Sequence, residues 1–445
     1  MGEPRLTNLW RHPDFLKLWA AQTSSVFGSQ ISLLAIPLVA AVTLDASAAE
    51  MGILTALGTA PYLLLALVAG VWVDRMRRRP ILVVADLGRA LLLLVVPAAA
   101  LFDVLRIEML YAVAFLVGLF SLFFDVAYQS YLPSLIGRDR LTEGNSKLQV
   151  SQSAALVTGP GIAGALLQVV TAPMAILVDA FSFLASATFL GLIRTPEAAP
   201  LPQSERRGVI GEIAEGIREI ANHAVLRALT VATGMWNLFA NMLTTVFMLY
   251  LVRDLAIQPG LLGIIFAGSG AGFLLGAVLT NRTAQYFPAG TIIIGAAVIG
   301  SLATLVVPLA SGPTWFVVST LTAALLLRGL ALMHFDLNVL TMRQSLTPDH
   351  FLGRVTATTR LAVRGVAPIG ALLGGFLGEL IGLQATLLVA ALGGLLSVLW
   401  LWFSPLNTIK QRRDLVGTIS DDPAQGVVDH ARSNATPAMI RAASA

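Results

Sequence analysis

Twelve runs of roughly twenty or more mostly apolar residues follow one another along this chain. They cover approximately 15–43, 48–73, 81–102, 109–135, 147–169, 172–193, 226–252, 259–286, 289–310, 314–343, 355–380 and 384–404. A helix needs about 20 such residues to cross the hydrocarbon core of a bilayer. A spanning segment must also satisfy its backbone polar groups internally, so runs of this length fold as helices. The cuts fall at turn-forming residues, among them Asp45, Pro80, Pro196, Pro259, Pro288 and Gly312. Composition agrees. Of 445 residues, 56% belong to the set AVILMFWYC and 12% are charged, whereas a soluble domain carries about 25% charged residues. Mean hydropathy is +0.79. The sequence reads as an all-α membrane protein with twelve transmembrane helices.

Several function classes drop out. The chain has no cysteine, which excludes disulfides, thiol nucleophiles and Cys-ligated metals. Its five histidines, His12, His223, His334, His350 and His430, have no ligand-like spacing. No Gly-Lys-Thr phosphate loop occurs, so ATP drive is not encoded and no cofactor is expected. Residues 1–14 are polar and the apolar run after them is too long for a signal-peptide core, so no cleavable leader is expected.

With the N-terminus inside, 23 of the 29 Lys and Arg residues fall on the cytoplasmic side, and the outer loops hold only Arg106 and Arg253. Arg89, Arg328, Arg360 and Arg364 lie within spans. This asymmetry predicts an even number of spans in a bacterial-type inner cell membrane, with both termini cytoplasmic. The expected organisation is a cytoplasmic N-terminus (1–14), a six-span half (15–193), a cytoplasmic linker (194–225), a second six-span half (226–404) and a polar cytoplasmic tail (405–445) that reads as disordered. In the linker, Val209, Ile210, Ile213, Ile217 and Ile220 recur at helical spacing, which predicts an amphipathic helix.

The halves repeat. Phe124-Asp125 matches Phe335-Asp336, and Ser134-Leu135 matches Ser345-Leu346, at the same offset of 211; Pro160 matches Pro368 at 208. Two pseudo-symmetric six-helix halves are the arrangement of the major facilitator fold, with a central cavity that opens alternately to each side.

The loop after span 2 holds Gly70, Asp74, Arg75, Arg77, Arg78 and Arg79. It resembles the signature loop of the major facilitator superfamily, with Arg77 in the place of a usual Gly. A glycine at position 70 allows close helix approach, and Asp74 can meet the positive N-terminal end of a neighbouring helix. Gly159, Pro160 and Gly164 in span 5 are similar to the motif of antiporter-type exporters in that superfamily, in which a proline bends the helix and small residues admit a partner. Further stretches narrow the resemblance: Trp10 to Phe15, Asp86 to Arg89, Phe123-Phe124-Asp125, and Asp179 to Phe183. Together they resemble the branch that includes enterobactin-type siderophore exporters and macrolide efflux proteins. The resemblance implies an export role and leaves the cargo open. It also implies that Asp125 pairs with Arg78 to lock an inner gate; proton carriage by Asp125 is the alternative.

A charge at mid-bilayer costs roughly 2.5–3.5 kcal/mol on insertion scales, so buried charges pair, face water or work. Asp86 and Arg89, three residues apart, can pair with each other. Arg328 and Arg364 either meet an anionic group of the cargo or pair with Asp336 and Glu379. The polar stripes Gln22, Ser25, Ser29 and Gln30, and Asn237, Asn241 and Thr245, either line the cavity or hydrogen-bond neighbouring helices. His334 and Asp336 join Asp125 as candidate proton carriers, because Glu is nearly missing from the spans. The expected function is export of a small organic molecule of drug, antibiotic or siderophore type by proton antiport, without enzymatic turnover. The expected partners are the cargo, protons and bilayer lipid, with no nucleic acid, and the protein is expected to be a monomer. An importer or facilitator on the same fold is the first rival reading. A lipid-modifying membrane enzyme is the second; it needs a His, Asp or Glu cluster at one membrane face, and the sequence has none.

Overall fold

The computed structural model describes residues 8–197, 209–348 and 351–408, which are helical with short connections. In the first half, α1 is Pro13–Leu38, α2 Ala48–Arg75, α3 Arg78–Leu101, α4 Ile107–Ile136, α5 Leu141–Val169 and α6 Ala172–Gly191. A linker helix follows, α7, Val209–Asn222. The second half holds α8 (Ala224–Leu249), α9 (Pro259–Tyr286), α10 (Ala289–Val306), α11 (Thr314–Leu346), α12 (Leu352–Gly365), α13 (Ala367–Ile381) and α14 (Leu383–Trp402). Among the described residues twelve segments are long and apolar enough to cross a membrane, so this is a multi-pass membrane protein. The tail beyond 408, the first seven residues and part of the linker (198–208) lie outside the described residues.

The repeat runs deeper than the paired aspartates and prolines. Each half opens on a histidine N-cap: the imidazole Nδ1 of His12 accepts the Phe15 N–H at 3.1 Å, and that of His223 accepts the Leu226 N–H at 3.4 Å. The capped helices end alike. Val39–Thr43 and Tyr250–Asp254 each form one wide π-turn. Each is followed by a residue with left-handed backbone, Asp45 (φ 48°) and Ala256 (φ 49°). Such a conformation is costly for a side-chain-bearing residue, and here equivalent bonds hold it: Ala46 N–H to Ala40 O at 2.8 Å, Ile257 N–H to Leu251 O at 2.9 Å. All these pairs are separated by 211 residues.

One expected span is broken. The run 355–380 divides into α12 and α13 at Gly365-Val366. Pro368, in the first turn of α13, has no N–H and its ring collides with the carbonyl four residues back, that of Arg364. Its counterpart Pro160 sits inside an uninterrupted α5.

The halves meet through α5 with α9 and α2 with α13. Their glycine contacts run from mid-helix, where a Cβ on Gly270 would collide with Leu156 O, to the end remote from the linker, here the far end. A Cβ on Gly164 would stand 2.6 Å from Gly263 Cα, and one on Gly52 2.8 Å from Gly375 Cα. Such backbone-on-backbone contact requires glycine, and in lipid it supplies the packing that a hydrophobic driving force cannot. At this end one shared core joins Leu34, Val113 and Ile176 of the first half with Val246, Leu262 and Leu321 of the second. At the linker end the cores are separate: Phe15, Leu82 and Tyr131 in one half, Leu229, Ile293 and Phe335 in the other. The cleft between the halves therefore opens on the linker side.

Candidate functional site

In that cleft the halves are joined by an ion pair. Asp125 on α4 accepts the Tyr62 phenol from α2 at 2.8 Å. The same oxygen, Oδ2, lies 3.8 Å from Nη1 of Arg364 on α12. The Arg364 guanidinium also covers the Tyr62 ring, 4.8 Å from its centroid, a cation–π contact. The side chains of Arg364 and Asp125 are 59% and 44% exposed, so cleft water reaches them. The break before Pro368 ends α12 on Arg364-Gly365, which delivers that guanidinium to the first half.

The expected Arg78–Asp125 pair is not formed in this conformation. Asp125 stands eleven residues from the linker end of α4, about 16 Å at 1.5 Å per residue, whereas Arg78 is the first residue of α3. Arg78 instead meets Glu197 (Nη1 to Oε1, 3.5 Å). Glu197 accepts the backbone N–H groups of Arg78 at 2.7 Å and Arg79 at 3.2 Å, an anion on the positive end of α3. Arg79 donates to the carbonyls of Leu190 and Gly191 at the C-terminal end of α6. Arg75, the last residue of α2, is exposed. The Asp74 side chain lies outside the described residues. A Cβ on Gly70 would meet nothing within 4 Å, so the close approach expected there is missing in this conformation.

A cavity of about 350 Å³ opens inside the first half, lined by Ser29, Leu54, Tyr62, Arg89, Val117 and Asp179 among others. Pockets for small organic ligands are about 300–1,000 Å³, mostly apolar with a few placed polar groups. Arg89 contacts Asp86 on its own helix and is held between the Phe124 and Phe183 rings, 4.3 and 4.2 Å from their centroids. Asp179, overlooked as a site residue in the sequence, is 2% exposed. The signal was available: it is the one charged residue of span 6. Gln22 is half-buried, and its Oε1 lacks a hydrogen-bond partner among the described residues.

The second half holds the other candidates apart from one another. Asn237 and Asn241 turn back on their own helix, donating to Thr233 O at 2.9 Å and Asn237 O at 2.8 Å. Among the described residues, neither hydrogen-bonds to another helix. Arg328 faces a small void lined by Trp236, Phe239, Ser301 and Thr304 and forms no ion pair with a described residue. His334 is not in the cavity: it is buried between α11 and α9, with Nδ1 3.0 Å from Leu330 O and Nε2 3.2 Å from Thr283 Oγ1. Helical pitch turns His334 inward to α9 and Asp336, two residues on, outward, where it is exposed. The charge facing Asp336 is Arg343, so neither span arginine pairs with it. Glu379 accepts the Ala49 N–H at 3.5 Å and is likewise not a partner of Arg364.

The span-5 motif lies on the contact between halves. Gly164 faces Gly263, and a Cβ on Gly263 would stand 2.7 Å from Pro160 O. Gly159 packs on Gln30 of α1, 2.5 Å from Cβ position to Cγ. The motif thus joins α5 to α9 across the interface and to α1 within its own half.

Known proteins resemble this chain along most of its length. It is 28% identical to the uncharacterized MFS-type transporter YfiS of Bacillus subtilis (strain 168), over 92% of this chain and 97% of that protein. It is 29% identical to the multidrug efflux pump Tap of Mycolicibacterium fortuitum, over 88% and 95%. It is 23% identical to macrolide efflux protein A of Streptococcus pyogenes, over 85% and 92%. Among solved structures, a bacterial homologue of the iron transporter ferroportin in an inward-facing state superposes with a TM-score of 0.72 at 16% identity, covering 88% of this chain and 98% of that one. The nucleoside transporter NupG gives 0.71 at 11% identity, over 87% and 98%. The profile of the Major Facilitator Superfamily matches residues 18–369, and with two six-helix halves around a cleft, the chain belongs to that superfamily.

Proposed function

We propose that this protein is a secondary active exporter that moves a small amphipathic organic molecule, of drug, antibiotic or siderophore type, out of the cell in exchange for protons. The observation that carries the reading is the largely apolar cavity in the first half, beside a cleft closed at the far end and open at the linker end. A molecule dissolved in the cytoplasm or inner leaflet enters from the linker side. Closure of the linker end and parting of the glycine contacts at the far end then expose it to the other face. Placing the linker and both termini in the cytoplasm of a bacterial-type cell follows from the Lys/Arg asymmetry. Two curated relatives are named as efflux proteins, which favours export over import. Cavity and gate are built within one chain, so a monomer suffices. No turnover chemistry is assigned to it.

The test is an accumulation panel in an efflux-deficient host, covering macrolides, dyes and catecholate siderophores, with and without a protonophore. Expression should lower accumulation of at least one compound, and collapse of the proton gradient should restore it. Lower internal levels that survive the protonophore and track ATP would overturn proton drive; raised internal levels would overturn export.

A further inference from the structure

We propose that Asp179 on α6 is the coupling-proton site, binding one proton in exchange for cargo in the adjoining cavity; this rests on the exporter reading above. The argument begins with charge. Away from the linker end, two carboxylates of the first half, Asp86 and Asp179, and one guanidinium, Arg89, are at least nine-tenths buried; Asp14, as deeply buried, sits at the linker-end start of α1 paired with Lys17. Arg89 is committed to Asp86 by direct contact and fixed between two phenylalanine rings. One negative charge is left over, and it falls on Asp179.

The hydroxyls around Asp179 say where a proton fits. Ser182 Oγ lies 2.8 Å from the Asp179 backbone carbonyl and 3.1 Å from its Oδ1. A hydroxyl has one proton to give, and a carbonyl only accepts. That single proton is shared between the carbonyl and Oδ1, so Ser182 satisfies a carboxylate at Asp179 only in part. Ser32 on α1 is 7% exposed, lines the same cavity and stands against the Asp179 carboxyl, its Oγ short of full hydrogen-bond geometry in this conformation. It stands ready as a second acceptor for a carboxyl O–H. Asp86 Oδ2 and Ser186 Oγ in the same cluster are also buried without partners.

The other charges near Asp179 are few. From α3 come Asp86 and Arg89, with Arg78 and Arg79 at its linker end. α1 carries only Asp14 and Lys17, at its linker-end start, and α5 only Glu143 and Lys147, likewise. Tyr62, Asp125 and Tyr128 stand on α2 and α4, Tyr62 lining the cavity beside Asp179. In the cycle, the Asp179 carboxylate takes a proton from water when the far end is open, cargo having left. It returns that proton to water when the linker end is open and cargo enters. One proton moves inward for each cargo molecule moved outward, and no covalent bond to carbon changes.

The test uses the full chain in liposomes. Infrared difference spectra recorded as pH rises from about 5 to about 8, across the range a buried carboxyl can reach, should show loss of a protonated-carboxyl band. Asp179→Asn should remove that band, Asp125→Asn should leave it, and Asp179→Glu should restore it at a shifted frequency. The Glu variant guards against a fold defect. With a compound taken from the accumulation panel, Asp179→Asn should retain cargo exchange and lose net efflux driven by a pH gradient. A band, or pH-driven efflux, that persists in Asp179→Asn overturns the assignment. Displacement of the band by sodium relative to choline overturns it in favour of a sodium site. Wild-type efflux indifferent to the pH gradient, with the band still removed by Asp179→Asn, overturns the antiport reading and not the proton site.

Discussion

Gly164→Ala should shift the protein away from the far-end-closed conformation. The added Cβ would stand 2.6 Å from Gly263 Cα, 2.9 Å from its N and 3.1 Å from Gly260 O. These are backbone atoms of α9 and cannot rotate aside, so α5 and α9 must separate. Overpacking of this kind costs about 1–3 kcal/mol. At 1.4 kcal/mol per tenfold, that is roughly a 5- to 150-fold change in the equilibrium between the two conformations. The chain has no cysteine, so single-cysteine reporters need no background removal. Ala48→Cys reports the far end, because Ala48 is 6% exposed and faces Gly378 across the interface. Ser121→Cys reports the cavity. Gly164→Ala should raise the maleimide labelling rate at position 48 and lower that at position 121 from the linker side. Gly161→Ala is the control, since a Cβ there meets nothing within 4 Å. Equal rates at both reporters in wild type and Gly164→Ala would refute the glycine-contact argument.

The Asp125–Arg364 pair joins the halves in this conformation, and as a half-exposed pair it contributes about 0–1 kcal/mol. Asp125→Asn and Arg364→Ala should each raise labelling at position 48 by up to roughly fivefold, and the swap Asp125→Arg with Arg364→Asp should recover part of the wild-type rate. Glu197→Ala removes the carboxylate from the start of α3, where losing a capping acceptor costs about 0.5–2 kcal/mol; it should lower the thermal midpoint in detergent, while Arg75→Ala leaves it unchanged. His223 caps α8 as a neutral imidazole, and burial holds its pKa below the ordinary value. A lowered folded-state pKa means the folded protein binds fewer protons, so this stabilisation is full above about pH 6.5 and is lost as pH falls below it. His223→Asn keeps an acceptor that does not titrate, so the thermal midpoint of wild type should fall relative to this variant as the medium is acidified.

The fold was legible because lipid imposes one rule, and twelve apolar runs satisfy it. The repeat was legible from Asp125 and Asp336. The histidine caps carried the same offset, His12 to His223, yet the histidines were weighed only for ligand-like spacing, because capping depends on backbone geometry that spacing alone does not display. The break before Pro368 was hidden for a related reason: Pro160, its counterpart, leaves its helix unbroken, so proline alone does not decide. The partner of Asp125 lies 239 residues away on another half, and no local pattern encodes such a pairing. Arg78 and Gly70 were read for a linker-side seal, whereas this conformation has that side open. Asp179 was hidden among apolar residues, and its weight comes from Arg89 being already occupied by Asp86.

The central claim is that cargo leaves the cell against its gradient because protons enter. The most direct measurement uses everted membrane vesicles, in which the linker side faces the medium, loaded with a compound whose cellular accumulation the protein lowers. Energised, acid-inside vesicles should take that compound up, and each uptake event should be accompanied by alkalinisation of the lumen read by a trapped pH dye. Uptake without any change in lumenal pH, or movement of the compound out of energised vesicles, would contradict the account.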